Sequence, residues 1–393
     1  MVQTDTDILI VGGGPVGATL ALLLARAADG GAPLAVTVLE ARRDFAAPAD
    51  ARTLALSHGS RLLLEHIGIW ARLPEPTPIT RIHVSQRGSF GRTLLTAQEA
   101  QLPALGYVID YAALVAALHE ALCAAPVRYV TGAEVESVQP HAVAPRVKWH
   151  DGAGERVETA RLAVLADGGR LLGTLPGVRQ IRRDYGQWAV VGQVRSERPH
   201  DGLAYERFTP DGPAALLPYR DRYALVWTAS PEAAQAMLAW DDDMFLTRLH
   251  EHFGDRQGRF LWVGPRTAFP LGLRRSEPRV LARTVLVGNA AQTLHPVAGQ
   301  GFNLGLRDAF ELAAAIQAAP RKSLGAPDML DAYARGRRLD TGGGMLFTDW
   351  LVRGFSNDLP LLRQARAAAL SLLDILPPAK DFVVRRMVFG ARG

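Results

Sequence analysis

Residues 7–27, DILIVGGGPVGATLALLLARA, constrain the fold of this chain more than any other stretch. Ile8 to Val11 form a short apolar run of the kind that a fully buried strand requires. Three glycines then interrupt it, and from about Pro15 the spacing is helical. Gly12, Gly14 and Gly17 stand in the order G-x-G-x-x-G. The first allows a tight turn, the second lets a pyrophosphate approach the backbone, and the third lets helix and strand pack closely. The start of the helix then offers free N–H groups and a partial positive charge to phosphate oxygens. A second strand, LAVTVLE, ends at Glu40, 23 residues beyond Gly17, where a carboxylate can accept ribose hydroxyls. The pattern predicts a Rossmann-like α/β domain that binds a dinucleotide. By itself it leaves NAD and FAD equally open.

Composition removes several other classes. At 393 residues the chain is long enough for two or three domains, and with 48% apolar residues it can bury a full core. Cys123 is the single cysteine, so neither a disulfide framework nor a cysteine metal site can form, and no metal site is expected. The net charge of +5 is carried by arginine, with lysine only at 148, 322 and 380, and no dense basic run interleaved with aromatics occurs. Nucleic acid is therefore not an expected partner. The apolar stretch at 8–28 is broken by glycines and led by Asp5 and Asp7, which fits a strand and a helix better than a membrane span. No basic segment precedes it as in a signal peptide, and the expected location is the cytoplasm. Hydrolase, metalloprotease and P-loop motifs are absent.

Three distant segments decide between the nucleotides. Arg52 precedes a turn and helix in DARTLALSHGSRLLLEHIGIW. RLAVLADGGR reads as a strand ending at Asp167 and Gly168. TVLVGNAAQTLHPVAGQGFNLGLRD reads as a strand, a glycine-rich turn and a helix from about Phe302. Together with the first motif, this arrangement resembles the class A flavoprotein monooxygenases of the para-hydroxybenzoate hydroxylase fold. In that family the last motif usually reads Gly-Asp, whereas Gly288-Asn289 stands here. GNAAQTLHP at that position is similar to the ubiquinone-biosynthesis hydroxylases, specifically the 2-octaprenyl-6-methoxyphenol hydroxylase type (UbiH). DARTLALS and the tail FTDWLVRGFSNDLPLLRQAR fit the same group.

The resemblance implies a Rossmann-like FAD domain with an inserted β-sheet substrate domain and a C-terminal helical segment. The expected division places the FAD domain at 1–75, 101–175 and 283–340, substrate strands at 76–100, the substrate domain at 176–282 and the helical segment at 341–393. It implies non-covalent FAD held by Gly12, Gly14, Gly17, Glu40, Arg52, Asp167, Gly168, Gly288, Asn289, Gly299, Gly301 and Asn303. An amide at 289 can still bond the ribityl hydroxyls, though less strongly than a carboxylate. Gly299, Gly301 and Gly305 would let backbone lie against the ring. His295 and Pro296 would form a wall beside it, His295 as a hydrogen-bonding wall residue rather than a general base, because the flavin performs the chemistry.

The implied activity is hydroxylation of the aromatic ring of a polyprenyl-phenol in ubiquinone biosynthesis, with NAD(P)H as a transient reductant and O₂. A different small phenol, or an FAD-stabilised scaffold without turnover among other ubiquinone-biosynthesis proteins, are the competing readings. Trp188, Phe208, Tyr219, Trp227 and Phe269 are candidate liners of the substrate site, although aromatics in strands are commonly core. From 351 onward seven basic residues face three acidic ones, and from 359 onward eight leucines and isoleucines add apolar area. That end, with Lys380, Arg385, Arg386 and Arg392, is a candidate for peripheral contact at the inner face of the cell membrane.

Overall fold

The computed structural model describes residues 4–26, 33–43, 45, 52–293, 300–355 and 360–390, with backbone alone for 300, 344–355 and 360–363. The chain opens with β1 (Thr6–Val11), α1 (Pro15–Ala25) and β2 (Val36–Glu40). Next come β3 (Thr53–Ser57), α2 (His58–His66), β4 (Thr77–Ile79), β5 (Arg81–Gln86), β6 (Arg92–Thr96), β7 (Gly106–Asp110) and α3 (Tyr111–Ala124). β8 (Arg128–Thr131), β9 (Glu134–Gln139), β10 (Arg146–Asp151) and β11 (Gly154–Leu165) follow. The middle holds β12 (Arg179–Ser196), β13 (Leu203–Thr209), β14 (Gly212–Tyr219), β15 (Arg222–Ala229), α4 (Pro231–Ala239), α5 (Asp242–Phe253), β16 (Phe260–Val263) and β17 (Thr267–Glu277). The last elements are β18 (Val280–Leu281), β19 (Thr284–Leu286), β20 (Gln292–Thr293), α6 (Gln300–Ala318), α7 (Pro327–Phe355), α8 (Pro360–Ile375) and α9 (Pro377–Phe389).

β1 lies between β2 and β11 in a sheet ordered β18-β19-β11-β1-β2-β8, and all its neighbouring pairs except β18–β19 are parallel. Every residue of β1 and β2 is buried, as expected where helices cover both faces of a parallel sheet. α1 is correspondingly apolar all round: Gly17 to Leu24 are all buried, and the helix packs with residues of α3 and α6 on one side of β1. The second sheet is ordered β20-β17-β12-β15-β14-β13-β5-β6. Its strands alternate sides, so one face packs on α4 and α5 through Val190, Leu216, Leu225, Phe245 and Leu249, while the other is turned toward the first domain. α8 and α9 close the β5–β6 end of that second face.

Two features of the elements have local causes. Residues 231–253 form two helices, because Ser230 and Asp241 each cap a new start, accepting from Ala233 N and Met244 N. α7 runs unbroken from Pro327 to Phe355, across the expected division at 340/341. A Cβ on Gly343 would lie 2.0 Å from an Arg386 nitrogen, so the glycine admits α9 rather than ending α7.

Candidate active site

The three fingerprint glycines serve different partners. Gly12 has φ +102°, and a Cβ there would come within 2.6 Å of the Ala166 carbonyl. A Cβ on Gly17 would stand 2.0 Å from the Gly12 oxygen, so α1 can pack on the turn only without one. At Gly14, the N-cap of α1, a Cβ would meet no protein atom within 4 Å. Gly14 has no side-chain cap, so the first N–H groups of α1 point at open space. That space is the end of a continuous cavity of about 1360 Å³ lined by Gly12, Gly14 and Glu40. Glu40 is 7% exposed; its Oε2 accepts from Gly13 N at 2.8 Å and its Oε1 from Arg42 N at 3.0 Å. Oε1 also accepts from Arg42 Nε at 3.1 Å, so the carboxylate is fixed and Oε2 retains a lone pair for a hydroxyl.

Farther along the same cavity lie Arg52, Asp167, Gly168, Gly288, Asn289, Gly301 and Asn303. Asp167 accepts from Gly169 N at 3.0 Å and Leu171 N at 2.7 Å, which shapes the turn after β11. Arg52 stacks its guanidinium on Tyr111 at 4.7 Å. The Asn289 side chain is exposed toward the cavity and makes no hydrogen bond among the described residues. Asn303 lines the cavity and is also bonded within the protein. Its Oδ1 accepts from Ser57 N at 2.9 Å and its Nδ2 donates to Ala55 O at 3.2 Å, so the side chain staples α6 to β3. His295, Pro296 and Gly299 lie outside the described residues.

Asp308, which sequence reasoning passed over, organises the flavin end. It is fully buried on α6. Its Oδ2 accepts from Gly288 N at 3.1 Å and Gln292 Nε2 at 2.7 Å; its Oδ1 accepts from Arg337 Nε at 2.7 Å. Arg337 is itself 1% exposed and lies 2.8 Å from Asp340. Burial pushes against its charge, but Asp308 and Asp340 together hold its pKa above the ordinary arginine value. The signal was present in the sequence: a carboxylate at 308 falls within an apolar helical pattern that includes Leu304, Leu312 and Ile316.

The site fits FAD. Gly14, Gly168 and Gly301 would each carry a Cβ into free space, and all three line one groove that begins at an uncapped helix start. A wall kept clear of side chains at three separated points is what an extended, flat ligand with phosphates needs. If Asn289 bonds the ribityl chain, Asn289→Ala weakens FAD binding by about 1 kcal/mol, the usual net value of one hydrogen bond. Asn289→Asp retains the affinity. Flavin titration of the apoprotein measures both, and loss confined to the Asp variant overturns the role.

Beyond the groove the cavity spreads over the open face of the second sheet, between Ile82 and Phe269, and is roofed by Leu370, Leu373, Val384 and Met387. Of the aromatic candidates, Phe208 and Phe269 line it, whereas Trp188 and Trp227 pack with α4 and α5. Tyr219 is buried near β4 and bonds Asp110.

A dinucleotide groove that opens onto a walled substrate sheet defines an FAD-dependent aromatic monooxygenase. Residues 5–341 match the FAD binding domain family. The sequence is 37% identical to the ubiquinone hydroxylase UbiL of Rhodospirillum rubrum over 96% of this chain and 88% of that one. It is 32% identical to the 3-demethoxyubiquinol 3-hydroxylase of Escherichia coli over 94% and 95% of the two chains. The chain belongs to the FAD-dependent hydroxylases of ubiquinone biosynthesis. Its fold is that of p-nitrophenol 4-monooxygenase PnpA from Pseudomonas putida, with a TM-score of 0.77 at 18% identity over 100% of both chains.

When bound, FAD would supply the redox chemistry by which NAD(P)H and O₂ hydroxylate an aromatic ring. The chain's residues do the rest. The start of α1 and Glu40 are placed to hold the adenosine diphosphate part. The Gly288 turn, locked by Asp308, is placed to hold the flavin part. The apolar roof of α8 and α9 would shield a bound ring from water.

Proposed function

We propose that the chain hydroxylates the aromatic ring of a polyprenyl-phenol, as the 2-octaprenyl-6-methoxyphenol hydroxylase type does, using NAD(P)H and O₂. The observation that carries this reading is the shape and lining of the cavity beyond the flavin groove. It is apolar on both the sheet side and the helix side, and α8 and α9 provide much of its roof. A small polar phenol does not require so long an apolar wall; a prenyl chain does. The relatives named for ubiquinone hydroxylation support the pathway, and GNAAQTLHP at 288–296 supports the type. The test is conversion of short-chain prenylphenols by the purified FAD-loaded protein, followed by mass spectrometry of the product and by NAD(P)H consumption. Stoichiometric hydroxylation supports the reading. Equal or better turnover of phenols without a prenyl chain assigns another small phenol, and NAD(P)H consumption unaffected by any phenol supports the scaffold reading.

No helix among the described residues is long and apolar enough to cross a membrane. The tail that was expected to present a basic cluster is different in the structure. Lys380 is buried, with its ammonium 3.2 Å from Glu99 and 3.4 Å from Asp374. Arg385 pairs with Asp381 at 2.9 Å, Arg386 reaches the Leu339 carbonyl at 3.5 Å, and Arg392 lies outside the described residues. The corner between α8 and α9 also exposes Leu372, Ile375, Leu376 and Phe382, beside the exposed Asp374, Asp381 and Arg385. This corner is the face proposed to meet the membrane that holds a polyprenyl substrate, with the cavity roof directly beneath it. The double variant Ile375→Glu, Phe382→Glu then lowers liposome binding more than tenfold, since each buried side chain contributes roughly 1.5–3 kcal/mol. Because the contact is apolar, the deficit persists at high salt. Unchanged vesicle flotation removes the corner from consideration.

A further inference from the structure

The open face of the second sheet carries one carboxyl that no part of the flavin site uses. Strand register places Val84, Glu206, Ala215, Val226, Val191 and Thr267 in one row across β5, β13, β14, β15, β12 and β17. Directly opposed residues share a face, and all six line the cavity. Glu206 is the only ionisable member of the row. Along its own strand Ala204 and Phe208 flank it on the same face, and Phe208 packs with Val84 and Leu370 of α8. The carboxyl makes no hydrogen bond or ion pair among the described residues, although it is partly buried.

The charged groups on the neighbouring elements bond elsewhere or turn to the other face. On α8, Asp374 accepts from Thr93 Oγ1 at 3.1 Å and pairs with Lys380 of α9, and Arg366 lies against Gln86 at the end of β5. Next to Glu206 on β13, Tyr205 and Arg207 alternate to the other face, where Tyr205 meets His83 and Tyr223. On β5, His83 bonds Arg256. Burial alone raises the Glu206 carboxyl to about 8, with no charged neighbour contributing. An unpartnered acid in an apolar wall costs stability unless it has a ligand, and its exposed surface is the cavity itself.

We propose that Glu206 receives the phenolic head of the substrate, its carboxylate accepting the hydrogen bond of the ring hydroxyl and taking that proton as the ring is attacked. The inference rests on the phenol reading above. The O–H bond breaks with its electron pair left on the ring oxygen, which feeds the ring carbon that gains oxygen. That carbon later loses its hydrogen as a proton when aromaticity returns, the ring oxygen regains a proton, the second atom of O₂ leaves as water, and Glu206 gives its own proton back to solvent. NAD(P)H and O₂ supply the electrons and the oxygen, so Glu206 moves only a proton. A base that titrates close to the working pH is suited to this task.

The experiment compares FAD-loaded wild type with Glu206→Gln and Glu206→Leu, using a short-chain prenylphenol as the probe. In the wild type, kcat/KM rises with pH through an inflection near 8. Glu206→Gln keeps a hydrogen-bonding group but no base: kcat falls about a hundredfold, KM changes little, and the inflection disappears. Glu206→Leu also raises KM. Binding of the same phenol, read from the flavin difference spectrum without turnover, tightens through the same inflection in the wild type and is flat in Glu206→Gln. Turnover with an unchanged inflection in Glu206→Gln overturns the role while leaving the phenol reading intact. A wild type that binds the phenol with this inflection, lost in Glu206→Gln, yet produces no hydroxylated ring overturns the proposed reaction but supports Glu206 as the group that receives the phenol.

Discussion

Gly14→Val folds like the wild type and purifies without flavin. The backbone at 14 has φ −64°, which any residue adopts, and the new side chain starts in space that no protein atom fills within 4 Å. Placing valine at the N-cap costs the protein about 1 kcal/mol at most. The side chain instead occupies the space in front of the free N–H groups of α1, where pyrophosphate would lie. Losing about 3 kcal/mol of phosphate contacts weakens FAD binding by more than a hundredfold. The absorbance ratio of flavin to protein and the circular dichroism spectrum read the two effects separately. Gly17→Ala is the contrasting variant, since its methyl would overlap the Gly12 oxygen, and it loses folding and flavin together. A Gly14→Val protein with a full flavin spectrum overturns the placement of the dinucleotide.

The second large effect is on stability. Asp308→Ala removes the acceptor for Gly288 N and leaves Arg337 almost completely buried with Asp340 at 2.8 Å and Glu311 at 4.0 Å as its carboxylates. Removing one partner of a buried pair typically costs about 3–5 kcal/mol, because the other charge is left in a poor medium. The Gly288 turn also loses the bond that fixes it, so flavin affinity falls in the fraction that remains folded. Arg337→Leu costs less, as Asp308 keeps Gly288, Gln292 and Arg279 as donors. Denaturant titration of the two variants gives the ranking. Equal stability of Asp308→Ala and the wild type removes Asp308 from the centre of the turn.

The sequence alone determined the nucleotide end and the class of fold. Strand β1, the glycine turn, α1 and Glu40 lie within 40 residues, and their conformations depend on local sterics and periodicity that can be read in order. The distant segments at Arg52, Asp167 and Gly288 were legible because each carries its own turn residues and a strand that ends there. Tertiary structure decided what the polar side chains do, because a charge in a sequence does not reveal its partner. Asp308 looked like one more helical acid until α7 brought Arg337 beside it. Asn303 showed no structural task in the sequence, yet its amide also holds β3. Lys380 looked like a surface cation until Glu99 and Asp374 closed on it. The substrate side was least legible. Alternation along β13 indicates that Glu206 and Phe208 share a face, but only the register of seven antiparallel and parallel pairings shows that this face is the apolar wall of the cavity. Period-2 patterns specify the faces of a strand, whereas the core decides which face is turned inward.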